Sequence, residues 1–565
     1  MNDAARMPAS PPDHRRPLRS AATLLLVRDA PRAGAGVQVL LLQRSDVKDQ
    51  FSGAWVFPGG VVDPGDREAH ALCGDFNDRA ASQRLGLDEG GLDLYVAAIR
   101  ECFEETGILL AQIDPVRGTV SESAMPFNEL RATLRREEMT FSEACGKAKL
   151  RLLAGELAYF NHWITPKGLP KRFDTRFFVA AAPENQLAQH DGIEMVAHMW
   201  IEPAAALAQV PALKLMHATG SVLRSIADFE NIAALMSWAK GLVPIPLILP
   251  RFAMGHSGRK AVLPNESAWA EIGLLDPEGN GTARDELQSG QPIRLTERLI
   301  RVTANNGGEM TGAGTNSYLV GGGPRNEWAI VDPGPLDPNH VQALLAAAPG
   351  PIRWILATHT HMDHSPATVL LKDVTGAAVY GRRPDHTEWQ DLTFVPDHEL
   401  VGGERLTLCE GLTLRTIHTP GHASNHLCYL IEEDKVLITG DHIVQGSTVV
   451  INPPDGDMSA YLDSLSALLH EDLQWLAPGH GFLMAEPAKV IRWIIAHRQQ
   501  REAKIVAAVR KVEAATLDEL LPGVYDDVPA SRHPMARRSL RAHLLKLRNE
   551  GTAVEHEGRW SLSYP

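Results

Sequence analysis

Six consecutive residues constrain this chain most. His359-Thr360-His361-Met362-Asp363-His364 follows the apolar run 352–357, so four side chains able to ligate a metal sit on the loop that ends a strand. The same chemistry returns in three glycine-bearing turns, each after apolar sequence. His422 lies in Thr419-Pro420-Gly421-His422, Asp441 in Thr439-Gly440-Asp441-His442, and His480 in Pro478-Gly479-His480-Gly481. Neutral imidazole and carboxylate are ligands that zinc, manganese or iron accept, and a second cluster of them can hold a second ion. A His-rich surface loop would account for the first segment alone, but not for all four.

The surrounding pattern predicts an α/β architecture: strands at 316–320 and 328–331, a helix at 340–348, then the buried strand that carries the histidines. A chain of 565 residues exceeds what one core fills, so two large domains and a small third are expected. Upstream, strands at 21–27 and 37–42 close on the turn Phe57-Pro58-Gly59-Gly60. A helix follows over 92–110, strands at 177–182 and 194–200, and helical sequence to about 240. Pro-rich, weakly periodic sequence over 241–291 reads as a linker. The C-terminal part is helical and ends in a hairpin at 552–562 around Glu557-Gly558.

A formal charge of -14 disfavours non-specific binding of nucleic acid by the whole molecule, and no apolar run would span a bilayer. Five cysteines without a CxxC pair fit reduced thiols, hence a cytoplasmic protein. Residues 1–19, rich in proline and arginine, read as a disordered tail.

The combined pattern HxHxDH, Pro-Gly-His, Gly-Asp and Pro-Gly-His-Gly resembles the metallo-β-lactamase superfamily, with an αββα sandwich over 292–500. The resemblance implies one metal on His359, His361 and His422, a second on Asp363, His364 and His480, and Asp441 bridging them. Two Zn²⁺ ions, or Mn²⁺ or Fe, would activate water, with Asp363 orienting that water or carrying its proton. Asp441 stands where antibiotic-degrading members carry cysteine, so antibiotic hydrolysis is not expected. Only 38 residues, 442–479, separate Asp441 from His480, which leaves no room for a large inserted cap. Gly314-Thr315-Asn316-Ser317-Tyr318 and the helical tail are similar to the lactamase-like-protein-2 and glyoxalase II-like group, which includes single-strand-specific endoribonucleases. The tail itself, 505–565, resembles a winged helix. Leu540, Leu544 and Leu547 share one helical face, while Arg537, Arg538, Arg541 and Lys546 lie largely elsewhere as candidate nucleic-acid contacts.

In the first half, Arg100-Glu101-Cys102-Phe103-Glu104-Glu105-Thr106-Gly107 places Glu101, Glu104 and Glu105 on one helical face, where they repel one another unless cations intervene. Oxygen ligands favour Mg²⁺ or Mn²⁺. This segment, with Phe57 to Gly60 and Asp66, resembles the Nudix box, apart from Cys102, Asp66 for glutamate, and an insertion at 67–99. A Nudix α/β/α fold over 20–240 is implied, with the three glutamates as metal ligands and catalytic groups, and Arg100 bracing them. The insertion, Trp163-Ile164-Thr165-Pro166 and Arg172 to Phe178 look like the coenzyme A diphosphatase branch. Leu40 to Ser45 partly match its coenzyme A signature, with Asp49 replacing an arginine, and Arg44 and Gly60 would contact substrate.

The chain is thus expected to be a multidomain α/β and α+β metal-dependent hydrolase. Its first site would cleave a diphosphate-linked nucleotide or coenzyme A derivative, its second a thioester or the phosphodiester of single-stranded RNA. Two alternatives remain open: a Nudix part that only binds a regulatory ligand, and an RNA-binding processing factor.

Overall fold

The structure, a computed structural model, describes residues 18–32, 36–45, 52–113, 127–136 and 138–563. The expected tail lies outside these residues as far as position 17, as does Asp49, while Arg19 already begins a strand. The chain divides into two compact units, 1–250 and 251–565.

The first unit is built on the strand Arg19–Asp29, whose Leu24, Leu25 and Leu26 are all buried. It pairs parallel with Phe173–Ala181 and antiparallel with Val37–Arg44 and Gly59–Val61 in an eight-stranded mixed sheet. The helix Gly91–Thr106 lies on this sheet through Tyr95, Ile99 and Phe103, against Leu24, Leu26 and Phe178. It ends four residues earlier than the periodicity predicts, because Gly107 adopts the left-handed conformation (φ +74°) that glycine tolerates best. The inserted residues 67–99 fold into the end of a 3₁₀ helix, Pro64–Leu72, a short helix, Asp78–Leu85, and the start of the long one. Asp78 accepts from the backbone of Gly90 and Leu92, so the insertion is tied back onto the helix it precedes.

The second unit is an αββα sandwich. A seven-stranded sheet (Pro292–Arg294 to His398–Glu399) faces a six-stranded one (Arg405–Cys409 to Met484–Ala485). Their shared core alternates as strands require: Tyr318, Val320, Val331 and Leu356 meet Leu414, Tyr429, Ile431 and Ile438. Helices cover both outer faces, Val341, Leu344 and Leu371 on one and Tyr461, Leu465, Ile491 and Ile494 on the other.

Two expected boundaries are corrected. The linker predicted over 241–291 is largely folded. The hairpin Arg251–Gly255 with Gly258–Val262 and the helix Trp269–Leu275 bury Ala253, Val262 and Ile272 with Phe482, and Glu271 forms a buried two-pronged ion pair with Arg301 (2.6 and 2.9 Å). The tail does not start afresh at 505 either. One helix, Pro487–Arg510, buries Ile491 and Ile494 against the sandwich and Ile505 and Val509 in the next core. That core joins Leu520, Leu521, Leu540, Leu544 and Leu547 to Trp560 of the terminal hairpin, with Glu557 and Gly558 at positive φ in its turn.

Candidate metal centres

In the second unit all seven expected ligands meet at the ends of strands from both sheets. Ligand atoms of His359, His361 and His422 cluster within 4.8 Å, as do those of Asp363, His364 and His480, and those of His359, His364 and Asp441. Asp441 spans the two halves: its Oδ1 lies 3.2 Å from His480 Nε2 and 3.4 Å from His364 Nε2, while Oδ2 lies 3.8 Å from His422 Nε2.

Hydrogen bonds behind the centre fix which nitrogen of four of its five rings faces inward. His422 Nδ1 donates to the Val450 carbonyl (2.8 Å), His480 Nδ1 to the Gly314 carbonyl (3.2 Å) and His364 Nδ1 to Asp332 (2.9 Å). Thr358 Oγ1 gives its proton to Asp332 and so accepts from His359 Nδ1 (3.0 Å). Four Nε2 lone pairs are thereby aimed at one volume with two carboxylates, and buried His364 Nε2 and Asp441 Oδ1 have no hydrogen-bond partner among the described residues. This donor set fits divalent cations.

The electrostatics agree. Burial, and then the neighbouring histidines, push His359 and His361 down, His361 to about 3. Burial alone would lift Asp441, but His480 and His364 outweigh it and hold the carboxyl well below its usual range. His480 is raised to about 10, because Asp441 and Asp363 overcome the opposing effect of burial. Positive charge is what this pair of carboxylates requires.

Glycine at 479 is a steric necessity, since a Cβ there would sit 2.7 Å from Asp441 Oδ1 and 2.8 Å from His364 Cε1. Residues of the 314–318 motif brace the same turn. Asn316 donates to the carbonyls of Pro478 (3.0 Å) and Gly481 (2.8 Å), Tyr318 to that of Pro478 (2.8 Å), and Thr315 to Asp363 (3.0 Å). Asp332 escapes sequence reasoning, although its place directly after the strand Glu327–Val331 and before Pro333-Gly334 is a usable signal.

A cavity of about 370 Å³ opens beside His422, Asp441 and His480. Its far wall comes from the helix Pro487–Arg510 and the C-terminal module, including Trp493, Tyr525, Val528 and Met535. Arg532 of that module pairs with Glu309 at the rim (3.2 Å). The candidate nucleic-acid contacts are mostly engaged: Arg537 with Asp518 (2.7 Å), Lys546 with Glu502 and Glu550, and Arg538 over the Trp389 ring. Arg541 is exposed.

In the first unit, Glu101, Glu104 and Glu105 line a cavity of about 810 Å³ together with the expected substrate contacts Arg44 and Gly60. Glu105 accepts from Gly59 N–H (3.0 Å), and a Cβ on Gly60 would collide with the Glu101 carboxylate at 2.4 Å, so the turn is glycine because the acid lies against its backbone. Arg100 grips Asp66 with two bonds (2.7 and 3.1 Å) and reaches Glu101 (2.9 Å) and Glu104 (3.3 Å), a bracing position. Burial raises all three glutamates. Arg100 opposes this at Glu104, which Glu101 helps lift to about 7, and repulsion from Glu101 adds to burial at Glu105. Carboxylates held this way fit a hard divalent cation.

Both clusters fall within segments that match known families. The family models described as metallo-beta-lactamase superfamily, beta-lactamase associated winged helix domain and NUDT19 Nudix domain match residues 310–480, 516–560 and 89–219. A Drosophila melanogaster protein named beta-lactamase-like protein 2 homolog is 32% identical over 274 residues, 46% of this chain and 90% of the relative. An Aspergillus chevalieri protein named atrochrysone carboxyl ACP thioesterase is 31% identical over 251 residues, 42% of this chain and 76% of the relative. Among solved structures, a NUDIX hydrolase from Alicyclobacillus acidocaldarius is 26% identical and covers 40% of this chain and 97% of its own, with a TM-score of 0.33.

Proposed function

We propose a thioester as the substrate of the second unit of this chain, which belongs to the metallo-beta-lactamase superfamily and is a hydrolase with a Nudix domain before the lactamase fold and a winged helix after it. The observation that carries this reading is the cavity beside the His/Asp cluster. It is walled on one side by apolar residues of the winged helix and bordered by a module whose basic side chains are mostly paired within the protein. A compact acyl group suits such a space, whereas a nucleic-acid strand needs unpaired cations along a groove. The name of the Aspergillus relative points the same way.

His359, His361 and His422 would hold one divalent ion, Asp363, His364 and His480 the other, with Asp441 between them. Such ions supply Lewis acidity at the carbonyl and make water a better nucleophile near neutral pH. Asp363, which accepts from Thr315 at the centre (3.0 Å), would orient the attacking water and relay its proton toward the leaving thiolate. In the first unit Glu101, Glu104 and Glu105 would hold Mg²⁺ or Mn²⁺ for cleavage of a diphosphate-linked compound. The cationic side chains of Arg19, Arg44 and Lys171 line the same cavity and suit an anionic substrate.

The test is a parallel assay of the full-length protein on acyl thioesters, single-stranded RNA and coenzyme A, with Asp441→Ala and Glu104→Gln. Thioester cleavage lost with Asp441→Ala is expected. RNA cleavage without thioester cleavage would overturn the reading of the second unit. Diphosphatase activity untouched by Glu104→Gln would overturn that of the first.

A further inference from the structure

Arg498 lines the cavity beside the second unit's His/Asp cluster and is 3% exposed, yet no carboxylate oxygen lies within 4.0 Å of it among the described residues. Its Nη2 donates to the Val449 carbonyl and its guanidinium lies over the Tyr461 ring, 5.5 Å from the centroid, but its buried Nε has no partner. His497, beside it on the same helix, also lines the cavity and also has a buried ring nitrogen, Nδ1, without a partner. Other cations of this region are satisfied: Arg501 is held by Asp527 at 2.7 and 2.9 Å. Burying a guanidinium without a counter-charge is expensive, and a protein tolerates it where a ligand completes the pair.

The position is tied to the candidate centre through one backbone stretch. The Val449 carbonyl accepts from Arg498, the Val450 carbonyl from His422, and the Ile451 N–H donates to Ser539 of the winged helix (3.4 Å). Arg498 therefore stands one peptide along from the anchor of a proposed metal ligand. Trp493, Tyr525, Val528 and Met535 make the neighbouring wall apolar.

We propose that Arg498 binds an anionic group of the substrate in this cavity, so that the second unit prefers thioesters carrying a carboxylate or phosphate on an otherwise apolar arm. This rests on the thioester reading above. The anion has two possible sources, a carboxylate on the acyl group or a phosphate on the thiol arm.

Three substrates separate them: butyryl and succinyl thioesters of N-acetylcysteamine, and the butyryl thioester of phosphopantetheine. In the full-length protein, Arg498→Met should raise KM by roughly 10- to 100-fold for the substrate that carries the recognised anion, as loss of a charge-assisted hydrogen bond implies. KM for the neutral butyryl N-acetylcysteamine thioester should rise roughly tenfold less than that, because only the shared support of the Val449 carbonyl is lost for it. An equal rise for neutral and anionic substrates, or no rise for any, overturns the proposal, because a purely structural arginine would not discriminate. Titration calorimetry with succinate and with inorganic phosphate gives a readout free of turnover. Binding to the wild type that Arg498→Met abolishes supports the anion site even if no thioester is hydrolysed, whereas absence of binding in the wild type overturns it. If Arg498→Met fails to fold, Arg498→Lys, which keeps the charge but not the two-pronged donor, should show a smaller rise with the same selectivity, and an unselective rise again overturns the proposal.

Discussion

Asp332→Asn isolates the residue behind the candidate metal centre. The Asp332 carboxylate, 1% exposed, accepts from Thr358 N–H (2.7 Å), Thr358 Oγ1 (2.8 Å) and His364 Nδ1 (2.9 Å). Asparagine has nearly the same shape and tolerates the left-handed backbone at this position (φ +56°), so the fold should survive. It brings an NH₂ group in place of one acceptor oxygen. With the amide oxygen on Thr358 N–H, that NH₂ faces His364 Nδ1–H, and the imidazole relieves the clash by moving its proton to Nε2, the atom that faces Asp363 and Asp441. Loss of a charge-assisted bond costs roughly 1.5–3 kcal/mol, or about 10- to 100-fold in metal affinity. Competition with a chromogenic chelator measures that affinity, and circular dichroism checks the fold. Affinity within about threefold of the wild type in folded protein would refute the claim that Asp332 sets the His364 tautomer.

Three further outcomes are expected. Gly479→Ala should lower the bound-metal stoichiometry of the second unit while leaving its circular dichroism intact, because the added methyl reaches the Asp441 and His364 side chains before anything in the core. Asp66→Asn should destabilise the first unit by about 2–3 kcal/mol, less than a fully orphaned buried charge because Arg100 keeps Glu101 and Glu104; an unchanged urea midpoint would contradict this. Burial lowers His340 to about 4 from 6.5, so between those values the unfolded chain binds the extra proton and stability falls as pH falls. His340→Gln should flatten the pH dependence of the unfolding free energy in that window by up to ~1.4 kcal/mol per pH unit, about 3 kcal/mol in all.

The candidate ligands of the second centre stand out in the sequence because four of them crowd one loop after an apolar strand and the other three each lie in a glycine turn after apolar sequence, a combination that water-facing loops have no reason to repeat. Helical spacing put the three glutamates on one face, and the resemblance to the Nudix box gave that face its expected role. What escaped were groups whose role depends on long-range pairing. Glu271 falls in the stretch 241–291 expected to be linker and Arg301 beyond it, yet they neutralise each other in the interior, and Glu271 also accepts from Leu483 N–H (2.8 Å). No local pattern marks that partnership, so the hairpin and helix around it read as linker. The basic residues of the helix His533–Asn549 show the converse: their charge was visible, but the acids that pair with them lie on other elements, on the helix's own end and across the turn from it.

The two centres meet the same electrostatic problem by different routes. Glu101, Glu104 and Glu105 come into register as soon as one helix forms, and Arg100 on that helix offsets part of their charge, so the first cluster is close to a local property of its segment. The second draws its candidate ligands from 359 to 480 and their orienting partners from as early as Gly314; four of them share the loop 359–364 of the first sheet, but His422, Asp441 and His480, which follow strands of the second, join them only where the two sheets pack. Its ring orientations are held by carbonyls of Gly314 and Val450 and by Asp332, each on a different connection. A cation bound there would therefore tie together connections from both sheets and draw its stability from the fold. Its removal would be felt across the sandwich, through repulsion between Asp363 and Asp441, rather than along one helix.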